Sequence, residues 1–410
     1  MADFYQNGII TTLHHLAERS IDEIEYELAH FSRFRPMGLI LPSLFSELEG
    51  DALPNIVQHL KEVPYLNEIV IGLDRADKEQ YYRAMRFFSV LPQHHRILWN
   101  DGPRLQALDK ELLALEIAPR ELGKGRNVWY CMGYMLATGR SESIALHDCD
   151  IVTYDRSLLA RLLYPVANPL FNYEFCKGYY ARVADGKING RVSRLLVTPL
   201  IRSLKRVLGT NDYLDFMDSF RYPLAGEFSF RRDVLNDIRI PSDWGLEIGV
   251  LSEMFRNYAN NRLCQADIAN VYDHKHQDLS LNSTEDGLSK MSIDITKALF
   301  RKLATYGETF TTETFRSLKA TYYRIALDFV ETYHNDAIMN GLNLDIHQEE
   351  KAVEMFAQNI MTAGQRFLDA PMERPFIASW NRVVSAKPDI FDCLIDAVEK
   401  DREEFLASEK

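Results

Sequence analysis

Short apolar runs alternate with helical patterns in the first quarter of the chain, and this alternation restricts the chain to an α/β fold. Met37–Leu41, Glu68–Leu73 and Arg96–Trp99 read as strands, the first two as strands buried on both faces. Pro54–Glu62 and Lys78–Ser89 lie between them and have the apolar spacing of amphipathic helices. This order predicts parallel strands joined by helices. Loops at the carboxyl ends of such strands open on one crevice, where ligands bind.

An acidic motif stands at the end of a later apolar run. The segment from Ser143 begins Ser-Ile-Ala-Leu and continues into Asp148-Cys149-Asp150. Two carboxylates one residue apart at the end of a buried strand repel each other, and a cation offsets that repulsion. Hard oxygen ligands that leave room for phosphate oxygens suit Mg²⁺ or Mn²⁺. Asp-x-Asp is also a common tripeptide, so the motif alone is compatible with an ordinary polar strand end.

Two glycine-bearing loops are candidates for anion binding. Gly123-Lys124-Gly125 precedes a predicted helix at Val128–Ala137, and the N–H groups and dipole of a helix N-terminus favour negative charge. The loop at 185–193 carries two cations and two glycines, a composition that suits an anionic acceptor. A polar turn and an exposed surface loop are the alternative interpretations, and the local sequence leaves them open.

Glu247 and His274, which lie near the ends of predicted elements, are two further candidate functional residues. Glu247 stands among apolar residues where an amphipathic helix begins, and a buried glutamate there must be paired or functional. His274 follows Ala266–Val271, the last strand candidate. A histidine in such a place is more often a hydrogen-bonded structural residue than a ligand, so its position alone does not make it one.

The character of the chain changes after about residue 284. Long helical patterns follow one another with few strand candidates, and they need a surface on which to bury their apolar faces. That surface is either the preceding domain or a second subunit. We therefore predict three parts: an N-terminal arm and helix (1–35), a catalytic domain (36–283) and a helical extension (284–410). The four long helical patterns are Leu288–Tyr306, Thr314–Asn335, Glu349–Phe367 and Ile390–Leu406.

Composition excludes several classes of protein. The net charge of −12 over 410 residues argues against broad nucleic-acid binding. Five scattered cysteines without a Cys-x-x-Cys pair indicate free thiols in a reducing cytoplasm. The chain starts without a signal-peptide pattern, and no window of 18 uncharged apolar residues predicts a membrane span. We expect a cytoplasmic enzyme and a homodimer.

An ordered set of short motifs resembles one family across roughly residues 36–280. The chain is similar to the glucosyl-3-phosphoglycerate synthases, glycosyltransferase family 81, which have the GT-A fold: a Rossmann-like, mostly parallel sheet flanked by helices. The matching pieces are Pro42–Glu47, Gly123-Lys124-Gly125, Asp148-Cys149-Asp150, Lys177-Gly178-Tyr179-Tyr180, Gly190-Arg191-Val192-Ser193, Pro223-Leu224-Ala225-Gly226-Glu227, Gly245-Leu246-Glu247-Ile248-Gly249 and His274-Lys275-His276.

The resemblance implies an activity and a divalent metal. Glucose would pass from a nucleotide donor, usually UDP-glucose, to the 2-hydroxyl of 3-phosphoglycerate with retention of configuration. Asp150 and His274 would hold Mg²⁺ or Mn²⁺, which stabilises the charge on the diphosphate leaving group. Asp148 would contact the ribose, and Lys124 the uracil and diphosphate. The other implied donor-binding residues are Pro42, Ser43, Leu44, Glu47, Asp74, Gly123, Cys149, Leu224, Ala225 and Gly226.

The resemblance also implies an acceptor site. Gly190, Arg191 and Ser193 would hold the phosphate and carboxylate of the acceptor, beside Lys177, Val192 and His276. With Asp150, Arg191 and Glu247 would form the catalytic set.

Retention by double displacement would need a carboxylate nucleophile on the far face of the sugar, and Glu247 or Glu227 could be that nucleophile. We favour a front-face reaction, because the sequence identifies no strong nucleophile.

The sequence departs from the family pattern in places, which leaves other functions open. The turn after the second strand is Leu73-Asp74-Arg75-Ala76-Asp77, and the acidic motif has a central cysteine. Mannosyl transfer from GDP-mannose to a glycerate is one alternative. A sugar nucleotidyltransferase would need a glycine- and arginine-rich loop after the first strand, which Pro42–Leu48 lacks. A non-catalytic binding protein is another alternative, whereas an NAD-linked enzyme is disfavoured because no Gly-x-Gly-x-x-Gly follows an early strand.

Overall fold

Apolar runs that read as buried strands lie together in one eight-stranded sheet. The computed structural model describes residues 6, 8–119, 121–242, 244–274, 287–371 and 376–409. The strands in this part of the chain are β1 (Thr11–Leu13), β2 (Met37–Leu44), β3 (Leu66–Asp74), β4 (His94–Trp99), β5 (Ser143–Leu146), β6 (Phe175–Tyr180), β7 (Val183–Ala184), β8 (Lys187–Ile188), β9 (Phe228–Arg231) and β10 (Leu263–Ala269).

Helices follow most of these strands, as the alternating pattern predicts. The described α-helices are α1 (Ile21–Phe31), α2 (Ala52–Leu60), α3 (Lys78–Phe88), α4 (Pro103–Ala114), α5 (Lys124–Thr138), α6 (Arg156–Ala167), α7 (Thr198–Leu208), α8 (Asp212–Asp218), α9 (Val234–Asp237), α10 (Leu246–Asn257), α11 (Gly287–Thr305), α12 (Thr312–Met339), α13 (Ile346–Asp369), α14 (Trp380–Ala386) and α15 (Ile390–Ser408). Several of them begin at a side-chain cap, as at α3, where Asp77 and Gln80 form a capping box.

The strand order across the sheet is β1-β10-β6-β9-β5-β2-β3-β4. Every pair is parallel except those of β9, which runs antiparallel to both β5 and β6. The sequence pattern did not predict β9, because the Pro and Gly before Phe228 indicate only a break in the helical pattern. The predicted N-terminal arm also contributes β1, which lies parallel to β10.

Two helices differ from the sequence prediction near the candidate site. Helix α5 begins at Lys124, four residues before the expected start at Val128. The backbone at Gly125 lies so close to the Pro241 carbonyl that a β-carbon there would be 2.1 Å from the oxygen, so glycine is needed. The residues Val192–Val207 have the pattern of one helix in the sequence, but in the structure they divide into a π-helical turn over Val192–Val197 followed by α7.

The helices of the C-terminal extension pack on the sheet domain. Helix α12 packs against α7, and α15 against α5, α4 and β4. One hydrophobic core includes Phe230 of β9, Trp129 of α5 and Phe356 of α13. The predicted boundary between 283 and 284 lies outside the described residues. Within those residues, no helix combines the length and apolar character needed to cross a bilayer.

Candidate active site

Three potential metal ligands meet where β5 ends. Asp148 and Asp150 follow that strand, and an antiparallel bridge between Ile151 and His274 brings the histidine to them. One ligand atom from each of Asp148, Asp150 and His274 lies within 4.8 Å of the others. Two carboxylates and one imidazole form a donor set suited to a divalent cation such as Mn²⁺ or Mg²⁺. These residues come from two of the motifs, Asp148-Cys149-Asp150 and His274-Lys275-His276; the resemblance implies Asp150 and His274 as the metal ligands and Asp148 as a ribose contact, and these roles stay predictions.

The two aspartates of the motif differ in their electrostatic surroundings. Burial and the charge of Asp148 raise the pKa of Asp150 to about 7. Its Oδ1 is buried, makes no hydrogen bond with a described residue and lies 3.8 Å from His274 Nδ1. Burial also acts to raise the pKa of Asp148, but the adjacent Lys124 ammonium brings it below its ordinary value. An orphaned carboxylate oxygen and a raised pKa fit a site that takes a cation.

Lys124 joins the acidic motif to Glu247. Its Nζ lies 2.6 Å from Asp148 Oδ1 and 3.2 Å from Glu247 Oε1. Burial acts to lower the pKa of Lys124, but these two carboxylates raise it above the ordinary value, so the ammonium stays charged. Lys124 is the first residue of α5 and Glu247 the second of α10, so two helix N-termini meet here. Such ends favour an anionic ligand.

The loop that carries Leu224, Ala225 and Gly226, three of the implied donor-binding residues, lies directly against the acidic motif. A β-carbon at Gly226 would lie 2.5 Å from Asp148 Oδ2, so only glycine permits this approach. The neighbouring Ala225 carbonyl accepts a hydrogen bond of 2.5 Å from Lys177 Nζ. Lys177 is fully buried, and burial lowers its pKa to about 8. In the structure Lys177 therefore supports this loop; its predicted acceptor contact stays a prediction.

Four of the implied donor-binding residues lie at or directly after the carboxyl end of β2: Pro42, Ser43, Leu44 and Glu47. Ser43 and Leu44 pair with Leu73 and Asp74 of β3, and Pro42 with Gly72. Glu47 follows in a 3₁₀ helix over Phe45–Glu49, and its charge acts on Asp150. Asp74 accepts a hydrogen bond of 2.7 Å from Asn100 Nδ2. Cys149, also implied as a donor-binding residue, is buried, and its contact with the donor stays a prediction.

The predicted acceptor loop forms an ion pair that the sequence did not indicate. Gly190 has a φ of 77°, in the region that favours glycine, and precedes Arg191. Arg191 Nε donates a 2.5 Å hydrogen bond to Glu349 Oε1 of α13. Ser193 is buried and its Oγ has no hydrogen-bond partner among the described residues. Val192 begins the π-helical turn, and His276 lies outside the described residues.

Glu227 is a buried carboxylate next to the acidic motif. It is fully buried and accepts hydrogen bonds of 2.6 Å from the hydroxyls of Tyr180 and Tyr272. Burial and the charge of Asp148 raise the pKa of Glu227. Both oxygens are thus occupied, which does not favour Glu227 as a nucleophile. Tyr272 was not among the predicted site residues, although its place two residues before His274 is a usable signal.

A cavity of about 660 Å³ lies beside the carboxyl ends of β6 and β10. None of the residues predicted for the site lines it. Two of its cations already have partners: Arg202 lies 3.5 Å from Asp218, and Arg221 stacks over the Tyr179 ring. The cavity therefore indicates no particular ligand, and the clustered charges at Asp148 define the candidate site.

Curated relatives match almost the whole chain. A glucosyl-3-phosphoglycerate synthase of Persephonella marina is 48% identical over 98% of this chain and 99% of its own length. One of Methanococcoides burtonii is 38% identical over 98% of this chain and 99% of its own length. No family model matches the chain.

Solved structures share the fold at lower identity. Glucosyl-3-phosphoglycerate synthase from Mycobacterium tuberculosis, solved with Mn²⁺, UDP-glucose and phosphoglyceric acid, has a TM-score of 0.52 and 20% identity, covering 72% of this chain and 87% of that one. Mannosyl-3-phosphoglycerate synthase from Rubrobacter xylanophilus also gives 0.52 at 20% identity, covering 70% and 80%. The expected GT-A fold is confirmed, whereas the shared fold does not distinguish glucose from mannose.

The two long sequence matches make that distinction at the level of the family, since both cover the active-site motifs as well as the helical extension. The chain belongs to the glucosyl-3-phosphoglycerate synthase family.

Proposed function

We propose that this chain transfers glucose from UDP-glucose to 3-phosphoglycerate with retention, giving glucosyl-3-phosphoglycerate. The observation that carries the proposal is the cluster of Asp148, Asp150 and His274, with Lys124 beside it. The near full-length similarity to two glucosyl-3-phosphoglycerate synthases supports the choice of sugar and acceptor.

The residues assigned to the metal are Asp150 and His274. Bound there, Mn²⁺ or Mg²⁺ would stabilise the charge that develops on the diphosphate leaving group. The M. tuberculosis enzyme has been solved with each of these ions together with a uridine nucleotide. Lys124 and the N-terminus of α5 would meet the diphosphate on its other side, and Asp148 would contact the ribose. Pro42, Ser43 and Glu47 would line the nucleoside.

We propose a front-face mechanism for the transfer. The bond between the sugar anomeric carbon and the diphosphate oxygen breaks, and a bond to the acceptor 2-hydroxyl oxygen forms on the same face. The hydroxyl proton passes to the departing phosphate oxygen. The two candidate nucleophiles are already engaged, because Glu227 accepts from two tyrosine hydroxyls and Glu247 pairs with Lys124. Glu247 is thus better suited to orient Lys124 and the sugar.

The proposal also includes a cytoplasmic location and a homodimeric assembly. The buried free thiols are compatible with a reducing cytoplasm. A homodimer is expected from the sequence analysis, and light scattering of the purified protein checks it; a monomeric mass at working concentration would contradict it.

The central test is Asp150→Asn. We expect the loss of metal-dependent glucosyl transfer from UDP-glucose to 3-phosphoglycerate, by about 100-fold or more in kcat, because a metal ligand is removed. Product formation would be followed chromatographically with Mn²⁺, Mg²⁺ and a chelator. Asp396→Asn, an exposed aspartate on α15, is the matched control. Full activity in Asp150→Asn would remove the proposal, and efficient use of GDP-mannose by the wild type would replace glucose by mannose.

The acceptor site is tested separately with Arg191→Ala. A charged hydrogen bond to an anion is worth about 1.5–3 kcal/mol, so the KM for 3-phosphoglycerate should rise about tenfold or more. The KM for UDP-glucose should stay within about twofold. Arg202→Ala, an exposed arginine on α7, is the control. An unchanged KM for 3-phosphoglycerate in Arg191→Ala would place the acceptor elsewhere.

A further inference from the structure

A buried carboxylate of the C-terminal extension lies between Arg191 of the predicted acceptor loop and Arg194, which directly follows that loop. Glu349 of α13 is 1% exposed. Its Oε1 accepts a 2.5 Å hydrogen bond from Arg191 Nε, and its Oε2 lies 2.8 Å from Arg194 Nη2. Arg194 also donates to the Asn189 carbonyl at 2.8 Å. The carboxylate of Glu349 thus contacts the guanidinium groups of both arginines.

Arg191, Arg194 and Glu349 together carry a net positive charge, which favours the binding of an anion. A buried carboxylate is stable only when it is paired, and here each oxygen has its own guanidinium. Two arginines and one glutamate leave a formal charge of +1. Arg194 is largely buried, whereas the Arg191 side chain is 35% exposed. The excess positive charge is therefore accessible at Arg191.

The contact with Glu349 uses only one edge of Arg191. Nε is bonded to Glu349, whereas Nη1 and Nη2 form no hydrogen bond with any residue in the described part of the chain. The two Nη groups of a guanidinium bind phosphate and carboxylate in a bidentate manner. Fixing Nε sets the plane of the guanidinium, so less conformational entropy is lost when the Nη edge binds an anion.

The extension also holds the loop at other points. Asn343, between α12 and α13, donates its backbone N–H to the Gly186 carbonyl at 2.7 Å. Tyr322 of α12 donates its hydroxyl to the Leu195 carbonyl at 2.6 Å, within the π-helical turn. Because π-helical turns are frequent at functional sites, the distortion directly after Arg191 fits a segment shaped for binding. The loop is thus clamped before and after Arg191.

We propose that Glu349 is a positioning residue for the acceptor: it orients Arg191 so that the Nη edge meets an anionic group of 3-phosphoglycerate. This inference rests on the proposed function, in particular on Arg191 binding the acceptor. It assigns a role in the reaction to the helical extension, which the sequence analysis treated only as a packing or assembly element.

The test is Glu349→Gln, with Glu354→Gln as the matched control. Glu354 lies on the same helix and is exposed, so its variant loses the same charge at a surface position. We expect Glu349→Gln to raise the KM for 3-phosphoglycerate about tenfold, the size of a typical coupling between contacting charged groups. The KM for UDP-glucose and donor hydrolysis without acceptor should change less than about twofold in both variants.

Other outcomes of this experiment overturn the inference. If Glu349 acted only through its charge, its removal would lower the KM for the anionic acceptor. If its role were only structural, both KM values and the unfolding midpoint would change together. If Glu349→Gln fails to fold, Glu349→Asp is measured instead: it keeps the charge with a shorter side chain, and the same selective rise in the acceptor KM is expected.

A double-mutant cycle separates this inference from the proposed function. If Glu349 acts through Arg191, Glu349→Gln has no further effect on the acceptor KM once Arg191→Ala is present. An additive effect of the two substitutions overturns the positioning role. If Arg191→Ala alone leaves the acceptor KM unchanged, the proposed acceptor site fails. If Arg191→Ala raises it and Glu349→Gln does not, only the inference fails.

Discussion

Ionisable side chains inside this protein are kept there by different means. Glu349 is balanced by two guanidinium groups, Glu227 by two tyrosine hydroxyls, and Asp148 by Lys124. In the described part of the chain Asp150 Oδ1 accepts no hydrogen bond, and burial and the charge of Asp148 raise the pKa of Asp150. The side chain with the least compensation is therefore the one assigned to the metal. Glu68 of β3 is likewise a buried carboxylate with a raised pKa, but it lies away from the acidic motif.

Glu68 should make stability depend on pH. It is fully buried, and burial raises its pKa from 4.5 to about 7, against weaker opposite effects of Thr138, Arg140 and Arg96. The nearby His94 has its pKa lowered to about 4, mainly by burial, and is neutral in this range. Between pH 4.5 and 7 Glu68 holds its proton in the folded state more than in the unfolded state, so the contribution of Glu68 to stability falls as pH rises, and that loss is complete above pH 7.

Glu68→Gln should remove this loss. Because each pKa unit corresponds to about 1.4 kcal/mol, the free energy of unfolding of the variant should gain about 2–3 kcal/mol relative to the wild type between pH 5 and pH 8. Urea unfolding of both proteins at these two pH values measures the difference, since other titrating groups cancel. A constant difference would mean that Glu68 is already balanced in the fold.

Helix α5 connects the candidate site to the extension. It begins with Lys124 at the acidic motif, and its residues from Gly125 to Met135 are all buried. The sequence predicted this helix from its apolar content but not the reason for burial on every side. The sheet covers one face and the extension another, with Trp380 of α14 stacked on Trp129 at a ring separation of 4.2 Å. Packing between distant segments is not encoded in local periodicity.

Gly133→Ala tests this packing. A β-carbon at Gly133 would lie 2.0 Å from Trp380 Cζ2. The clash should lower the free energy of unfolding by about 1–3 kcal/mol, although alanine favours a helix by about 1 kcal/mol over glycine. Denaturant unfolding measures the change. In a Trp380→Leu background the effect of Gly133→Ala should become smaller or reverse; an equal loss in both backgrounds would place the strain elsewhere.

The whole molecule is held together by its last helix as well as by its sheet. Helix α15 contributes Leu394 and Val398 to the core on one side of the sheet, and Phe405 to the core on the other. It also brings acidic residues to basic ones of the first hundred or so residues: Glu399 lies 2.5 Å from Arg96, and Asp401 pairs with Arg104. The extension is therefore part of the folded core.

Removal of residues 389–410 should leave a chain that does not fold stably. The deletion exposes the surface under Ile390, Leu394, Val398 and Phe405. Burial of each such side chain is worth about 1.5–3 kcal/mol, a sum comparable to the 5–15 kcal/mol total stability of typical proteins. We expect insoluble protein or a much lower thermal midpoint. Removing only Glu409 and Lys410 is the control, because it loses an exposed ion pair to Arg86 that contributes little. A soluble, cooperative fold after the longer deletion would contradict this prediction.

By itself, the amino-acid sequence determined the α/β class, the parallel strands and the acidic motif after β5. It did so because a strand buried on both faces needs a continuous apolar run, and because polar residues directly after such runs lie at one edge of the sheet. The tertiary structure decided the insertion of β9, the approach of Tyr272 to Glu227, and the pairing of Arg191 with Glu349. Each of these contacts joins segments that are far apart in the chain; Arg191 and Glu349, for example, are 158 residues apart. Such contacts follow from tertiary packing, because local sequence patterns do not specify them.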